Sequence, residues 1–178
     1  MSVVQLAGIA VTESAYKRAR AIAENNENGG RRTAASVLES IRAMKPGWNV
    51  YDNENGNWGE GFRNIEIAPS VLRRMAENDD ALIRYKALIL DLEEVLPTLQ
   101  EWAEENEGLT LEFGVNLNAN GETTAQAVVR TLMGGEMRST FELPGQQSTW
   151  AELIRMKLDA INESRNQHEE EGSGSWLA

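Results

Sequence analysis

The alternation of apolar and polar residues is clearest near the middle of the chain. Ile65 and Ile67 alternate with Asn64 and Glu66, which is the period-two pattern of a half-buried strand. Pro69 follows, and because proline fixes φ near the helical value and has no N–H to lose in a first turn, a helix is predicted to begin there. The pattern therefore predicts a strand followed directly by a short helix.

A longer helix is predicted over Asp80–Asn106. Its apolar residues recur three and four positions apart, as they do on the buried face of a helix. Pro97 lies inside this stretch, and since proline removes a backbone hydrogen bond and disfavours the helical region for Leu96, a kink or a restart is expected. A proline within about three heptads favours an intramolecular core over a coiled-coil dimer. The apolar stripe comprises Leu82, Tyr85, Ile89, Leu92, Leu96, Leu99 and Ala103.

Three strands and a helix are predicted in the C-terminal half. Segments 109–117 and 122–132 alternate like strands, and the pair Asn120-Gly121 between them is typical of a tight hairpin turn. Residues 137–143 predict a third strand. A capping-box pattern then begins a helix that is predicted over Thr149–Ser164.

These elements predict an α+β fold. We expect an antiparallel sheet of four or five strands, packed against the two long helices Asp80–Asn106 and Thr149–Ser164. Residues 33–164 should form this single α+β domain. Residues 1–32 are predicted to be an N-terminal helical arm that ends in a polar hinge with two adjacent glycines. Residues 165–178 are polar, acidic and then rich in Gly and Ser, which is typical of a flexible tail.

The composition excludes several kinds of chemistry. The chain of 178 residues has no cysteine, so thiolate catalysis and cysteine-based metal sites are excluded. Its one histidine, His168, lies in the predicted tail, which disfavours a Ser-His-Asp triad or a histidine metal cluster. No glycine-rich phosphate loop of the Walker or dinucleotide type is present. We therefore expect no cofactor and no metal ion.

Charge and hydropathy predict the location of the protein and the kinds of partner that it can bind. Net charge is −11 at pH 7; residues 1–45 carry seven basic and four acidic side chains, hence +3, which leaves −14 for the remainder. A surface this acidic disfavours direct binding to nucleic acid. No apolar run approaches the roughly twenty residues that cross a membrane, and the first residues lack the order of a signal peptide. These features predict a cytoplasmic protein that does not enter a membrane.

A basic cluster is the first candidate partner-binding site. Lys17, Arg18 and Arg20 lie on the polar side of a weakly amphipathic helix that is predicted over Thr12–Glu24. The alternative is a solvated helix face, because exposed charge is the usual state of such residues.

Aromatic residues around a polar loop are the second candidate. Trp48, Tyr51 and Trp58 surround a stretch rich in Gly and Asn, and aromatic side chains beside flexible loops can bind sugars, peptides or a protein partner. The alternative is a hairpin whose aromatic residues close the end of the core as cross-strand pairs. The same loop carries the candidate acid pair of a carbohydrate-active enzyme, drawn from Asp52, Glu54 and Glu60.

The end of the chain is the third candidate. Trp176 and Leu177 form a large apolar terminus on an acidic tether, which a groove on a partner can capture. A cloning remnant is the alternative, because residues 172–175 read Gly-Ser-Gly-Ser.

The run from Leu38 to Trp102 resembles an uncharacterised protein family found in Firmicutes. The matching residues are NIEIAPSVLRRMAEND, from Asn64 to Asp79, and the likeness continues more loosely into the hairpin at 109–132. This motif is structural, because it consists of a strand, a helix start and a cap. The resemblance implies a shared fold and a bacterial origin, and it carries over no catalytic residues.

The leading functional hypothesis is a non-enzymatic protein-binding or regulatory module with an unidentified protein partner. It depends on the three candidate surfaces and on the chemistry that the composition excludes. One alternative is an acidic inhibitor, of the kind encoded by phages or mobile elements, that blocks the nucleic-acid-binding groove of its partner. A carbohydrate-active enzyme that uses the loop carboxylates is the other alternative.

Overall fold

The computed structural model describes residues 3–6, 9–26, 32–53, 56, 58–144 and 149–175. The strands are β1 Val3–Leu6, β2 Ile9–Thr12, β3 Asn49–Tyr51, β4 Asn64–Ile67, β5 Leu109–Leu117, β6 Thr123–Thr131 and β7 Glu136–Glu142. The helices are α1 Glu13–Asn26, α2 Ala34–Met44, α3 Pro69–Glu77, α4 Asp79–Asp91, α5 Leu96–Glu105 and α6 Trp150–Ser175, with a 3₁₀ helix at Leu92–Val95. The predicted α+β class is confirmed.

The main sheet has five strands in the order β3-β4-β5-β6-β7, and it is mixed. Strands β5, β6 and β7 form the predicted antiparallel meander. The prediction of a wholly antiparallel sheet was wrong, because β3 pairs parallel with β4 and β4 pairs parallel with β5. A second, two-stranded antiparallel sheet contains β1 and β2.

The parallel pairing also rules out a hairpin between β3 and β4. Asn49 lies opposite Asn64 and Tyr51 opposite Glu66, so both strands run in the same direction. A chain that leaves β3 must return across the sheet before it enters β4, which requires a crossover of about a dozen residues. Residues 52–63 supply this crossover. The sequence could not show the parallel pairing, because the alternation of apolar residues is the same for parallel and antiparallel strands.

The two faces of the main sheet differ in character. Side chains such as Ile65, Ile67, Phe113 and Val115 are 0–1% exposed and join the single hydrophobic core that the helices complete. We call this the apolar face. Alternate residues point to the opposite side of a strand, so Asn64, Glu66, Glu112, Gly114 and Asn116 lie on what we call the polar face.

The predicted long helix is divided in two at the expected place. Helix α4 ends at Asp91, the 3₁₀ helix follows, and α5 begins at Leu96 with Pro97 in its first turn. The predicted restart is therefore confirmed. The N-cap of α4 is Asn78, whose side chain accepts a hydrogen bond from Ala81 N.

The N-terminal segment packs on α4. Helix α1 and strand β2 both contact α4, and Val11, Ala15 and Ala19 are 0–3% exposed on the inner side of this segment. Helix α4 is consequently buried around most of its circumference, from Tyr85 to Asp91. Helix α6 continues to Ser175, beyond the predicted end at Ser164. Within the described residues, no helix is both long enough and apolar enough to cross a membrane.

Candidate functional site

A groove of about 620 Å³ opens between the first turns of α1 and the C-terminal end of α4. Helix α1 contributes Lys17 and Arg18 to one wall, whereas Asp91, Glu93 and Glu94 belong to the other. We call it the α1–α4 groove. Its two walls come from segments that are about eighty residues apart in sequence. The groove therefore keeps its shape only if contacts between these segments hold the walls in place.

Asp91 fastens the N-terminal end of α1. Its two carboxylate oxygens accept hydrogen bonds from Thr12 N at 3.0 Å and from Thr12 Oγ1 at 2.8 Å. Thr12 Oγ1 in turn accepts from Ala15 N at 3.1 Å, so it caps the first turn of α1. Burial raises the pKa of Asp91, although the two bonds from Thr12 and the nearby Arg18 and Lys45 favour its charged form. The N-terminal end of α1 is the positive end of its dipole, so it also stabilises the negative charge of this carboxylate.

A second polar cluster holds the other wall. Glu93 Oε1 accepts hydrogen bonds from Lys45 Nζ and Trp48 Nε1, each at 2.9 Å. Lys45 is only 3% exposed, and its Nζ lies 5.0 Å from the centroid of the Trp48 ring. Burial lowers the pKa of Lys45, while the bond to Glu93 opposes that change. Partial burial of Glu93 disfavours its charge, but the bonds from Lys45 and Trp48 prevail and lower its pKa.

Arg18 is the notable side chain of the groove. It is exposed, and among the described residues no carboxylate lies within ion-pair distance of its guanidinium. Lys17 differs, because its Nζ lies 3.0 Å from Glu13 Oε1 in the same helix. Among the described residues, the groove therefore presents the Arg18 guanidinium without a salt bridge, in a lining whose other charged residues are Lys17, Glu13, Asp91, Glu93 and Glu94.

In the crossover loop between β3 and β4, the described residues Gly56 and Trp58 lie over the polar face at β4 and β5 instead of projecting into solvent. The Trp58 ring lies against Gly114 of β5, so closely that a Cβ at position 114 would be 2.4 Å from Trp58 Cε3. Trp58 Nε1 donates to Glu66 Oε2 at 2.7 Å, and Gly56 N donates to both Glu66 oxygens at 2.9 and 3.0 Å. Tyr51 Oη accepts from Gly59 N at 3.2 Å. The loop is thus bound to the sheet by polar contacts and one ring.

Asn64 completes this attachment. Its Nδ2 lies 3.0–3.3 Å from the carbonyl oxygens of Gly59, Gly61 and Phe113, and its Oδ1 accepts from Asn49 Nδ2 at 3.1 Å. Asn64 and Glu66 are 0–1% exposed. A buried amide and a buried carboxylate are costly unless they are hydrogen-bonded. Here Glu66 finds its partners in the loop, and Asn64 finds its partners in the loop and on β3 and β5.

The predicted partner-binding residues separate into three sets. Lys17, Arg18 and Arg20 are brought together on the exposed side of α1. The aromatic set points inward: Trp48 is 9% exposed, and Tyr51 and Trp58 make the loop contacts described above. The terminal set, Trp176 and Leu177, lies outside the described residues.

Sequence inspection missed the buried charges that shape both regions. Asp91, Glu66 and Lys45 are 1–3% exposed, although charged residues usually lie at the surface. One signal was available for Asp91, because it lies between Leu90 and Leu92 in the apolar stripe of the long helix. Glu66 resembled an ordinary outward-facing residue of a strand that has one solvated side.

The candidate catalytic carboxylates do not form a described acid pair. Asp52 and Glu60 are exposed, and Glu54 lies outside the described residues. Among the described residues, the carboxylate that contacts Trp58 is Glu66, and its oxygens already accept hydrogen bonds from Gly56 N and Trp58 Nε1. Among residues that the structure describes, no cluster of three or more His, Cys, Asp or Glu side chains has the arrangement of a metal site.

The fold and the groove define an α+β domain with a mixed five-stranded sheet and a helical layer fastened by buried charges. Residues 49–171, about two thirds of the chain, match the family model described as protein of unknown function (DUF6033), and the chain belongs to that family. The expectation of an uncharacterised family is confirmed, and β1, β2, α1 and α2 precede the matched region. Neither the curated proteins nor the solved structures that were compared gave a match.

Proposed function

We propose that the protein is a non-enzymatic protein-binding module and that the α1–α4 groove is its contact surface. The observation that carries this proposal is Arg18, an exposed guanidinium without an ion pair among the described residues, on the wall of an open groove. Arginine is the cation best suited to protein interfaces, because its planar fork binds a carboxylate through two hydrogen bonds. The expected partner segment therefore carries an Asp or Glu side chain.

The construction of the groove supports a preformed site. Thr12 and Asp91 fasten α1 to α4, and Lys45, Trp48 and Glu93 connect the far wall to the segment before β3. Rigid walls lower the entropy lost when a partner binds. Trp48, Tyr51 and Trp58, the other candidate contact residues, form hydrogen bonds within the fold. This supports the basic cluster on α1, and not the aromatic loop, as the contact surface.

The experiment tests the groove by proximity and then by affinity. A photo-cross-linking amino acid at position 17 should capture a partner in the native host, whereas the same group at Arg73, exposed on α3, should not. The captured protein would then be purified and titrated against the wild-type chain, Arg18→Glu and Arg73→Glu. We expect Arg18→Glu to weaken binding by tenfold or more, about 1.4 kcal/mol or above, while Arg73→Glu binds as the wild type does.

Two results would overturn the proposal. One is capture of the same proteins from positions 17 and 73. The other is an Arg18→Glu variant that retains its melting temperature and binds the purified partner as tightly as the wild type.

An acidic inhibitor is the second candidate function. It is favoured by an open depression of about 610 Å³ that Glu104, Glu105 and Glu107 line beside Arg165. Carboxylates on such a surface can occupy a basic groove that otherwise holds nucleic acid. In that case DNA or RNA would displace the chain from its partner, and reversal of Glu104 and Glu107 would abolish the competition while Arg18→Glu would not.

A further inference from the structure

The outer edge of β7 is an unpaired sheet edge. Strand β7 is the last in the sheet order, and among the described residues no other strand pairs with its outer side. It is seven residues long, its register against β6 is continuous from Glu136 to Glu142, and it contains no proline. Natural proteins usually interrupt such an edge, because its free N–H and C=O groups bind a further strand. Neither a bulge nor a proline interrupts this strand, so its protection consists of the charged side chains Glu136, Arg138 and Glu142, and these determine what can pair with the edge.

Two hydrogen bonds show which residues present their backbone groups at this edge. Leu143 N donates to Thr123 O, and Gly135 O accepts from Thr131 N, so these odd-numbered residues point their backbone groups toward β6. Direction alternates along an antiparallel strand. The outward groups therefore belong to Glu136, Arg138, Thr140 and Glu142, whose side chains share the polar face because Phe141 is in the core.

We propose that a second copy of this chain binds this edge, with its own β7 antiparallel and a two-fold axis at Thr140. In that register Thr140 faces Thr140, and Arg138 of each copy faces Glu142 of the other. The three facing pairs exchange about six backbone hydrogen bonds. Pro144 would stand opposite Glu136, and since it has no N–H the ladder ends there.

Charge selects this register over those centred on the other three outward-facing residues. An axis at Glu136 or Glu142 would place glutamate directly opposite glutamate, and an axis at Arg138 would place arginine opposite arginine. Like charges that face each other across strands are destabilising, whereas opposite charges stabilise the pair. Among axes centred on one of these four outward-facing residues, the axis at Thr140 is the one without a like-charge clash, because Thr140 is the neutral residue of the four.

The side chains required for pairing are accessible. Glu142 is exposed and has no ion pair among the described residues, and Arg138 is 44% exposed with only a 3.5 Å contact to Glu136 Oε1. Helix α6 lies beneath β7, where Lys157 Nζ is 5.9 Å from the Phe141 ring centroid. Pairing would therefore also bring the α6 helices of the two copies close together.

Sedimentation velocity of the purified full chain over a range of concentrations tests the proposal. The wild type should shift from a mass of 19.8 kDa toward twice that value. Arg138→Glu and Glu142→Arg should each weaken association at least about tenfold, because each places like charges opposite each other. The double variant Arg138→Glu/Glu142→Arg should restore association to near the wild-type level.

Thr140→Pro gives an independent test. Its N–H points outward, so proline would remove two hydrogen bonds of the dimer and none of the β6–β7 ladder, and melting temperature should report an intact fold. The proposal is overturned if the wild type stays at 19.8 kDa up to about millimolar concentration. It is equally overturned if folded Thr140→Pro associates as tightly as the wild type, or if the double charge exchange fails to restore what the single exchanges remove.

Discussion

The two faces of the main sheet are covered by different means. Helices cover the apolar face, where Ile65 and Ile67 are fully buried in a common hydrophobic core. Described residues of the crossover loop cover the polar face at β4 and β5, where they are held by Glu66, Asn64 and the close approach of Trp58 to Gly114. Apolar burial is non-directional and tolerates repacking, whereas polar attachment depends on each partner being in place. The apolar face therefore supplies most of the stability, and the polar face fixes where one loop lies.

The largest effect is expected on the apolar face. Ile67→Ala should lower the free energy of unfolding by about 2–5 kcal/mol, because it removes a fully buried side chain and leaves a cavity. Urea denaturation followed by circular dichroism measures this change. A loss below about 1 kcal/mol would show that the helical layer contributes less than its burial indicates.

An intermediate effect is expected on the polar face. Gly114→Ala places a methyl group against the Trp58 ring, so the loop must shift at a cost of about 1–3 kcal/mol. In ¹⁹F NMR of fluorotryptophan-labelled protein, the Trp58 resonance should move toward the position of an exposed indole. The other tryptophan resonances should stay in place.

The control for this second prediction is a double-mutant cycle. In a Trp58→Ala background the added methyl group meets open space, so Gly114→Ala should then cost little. If Gly114→Ala costs the same in both backgrounds, the loss comes from the strand backbone, and the contact between Trp58 and Gly114 does not hold the loop.

The smallest effect is expected at Asp91, which fastens the outer helical layer as Glu66 fastens the loop. Burial raises the pKa of Asp91 above the ordinary 3.8, so the folded state retains the proton more strongly than the unfolded state does. This contribution to stability is fully present below pH 3.8 and is lost as pH rises through the raised pKa. Asp91→Asn should therefore gain stability relative to the wild type as the pH rises from acidic to neutral.

Urea denaturation at several pH values checks this sign, with the exposed Asp52→Asn as the matched control. The control should follow the wild-type profile. An Asp91→Asn variant that instead loses stability relative to the wild type as pH rises would show that the charged form of Asp91 is the one the fold prefers.

Local signals allowed much of the fold to be predicted. Pro69 begins α3 directly after β4, Pro97 lies in the first turn of α5, and Asn120-Gly121 separates β5 from β6. Each of these residues acts on its own backbone, through a fixed φ, a missing N–H or a turn that accepts positive φ. Such effects need no knowledge of distant segments, so they are visible in sequence.

Strand direction and the buried charges could not be predicted in the same way. The pairing of β4 with β5 joins segments about fifty residues apart, and alternation in either strand is identical for both directions. Asp91 and Glu66 find their hydrogen-bond donors in Thr12 and Trp58, of which Thr12 is distant in sequence. The same holds for the candidate site. The basic cluster on α1 could be predicted from neighbouring residues, whereas the opposing wall of the groove comes from a distant segment and could not.

The parallel pairing of β4 with β5 has a consequence for the order of folding. The meander of β5, β6 and β7 closes through short turns, whereas β4 can join it only after the intervening helices have brought distant segments together. Trp58 cannot reach its place against β5 before that step. Its fluorescence should therefore change in the last and slowest phase of refolding, later than the strands that it covers.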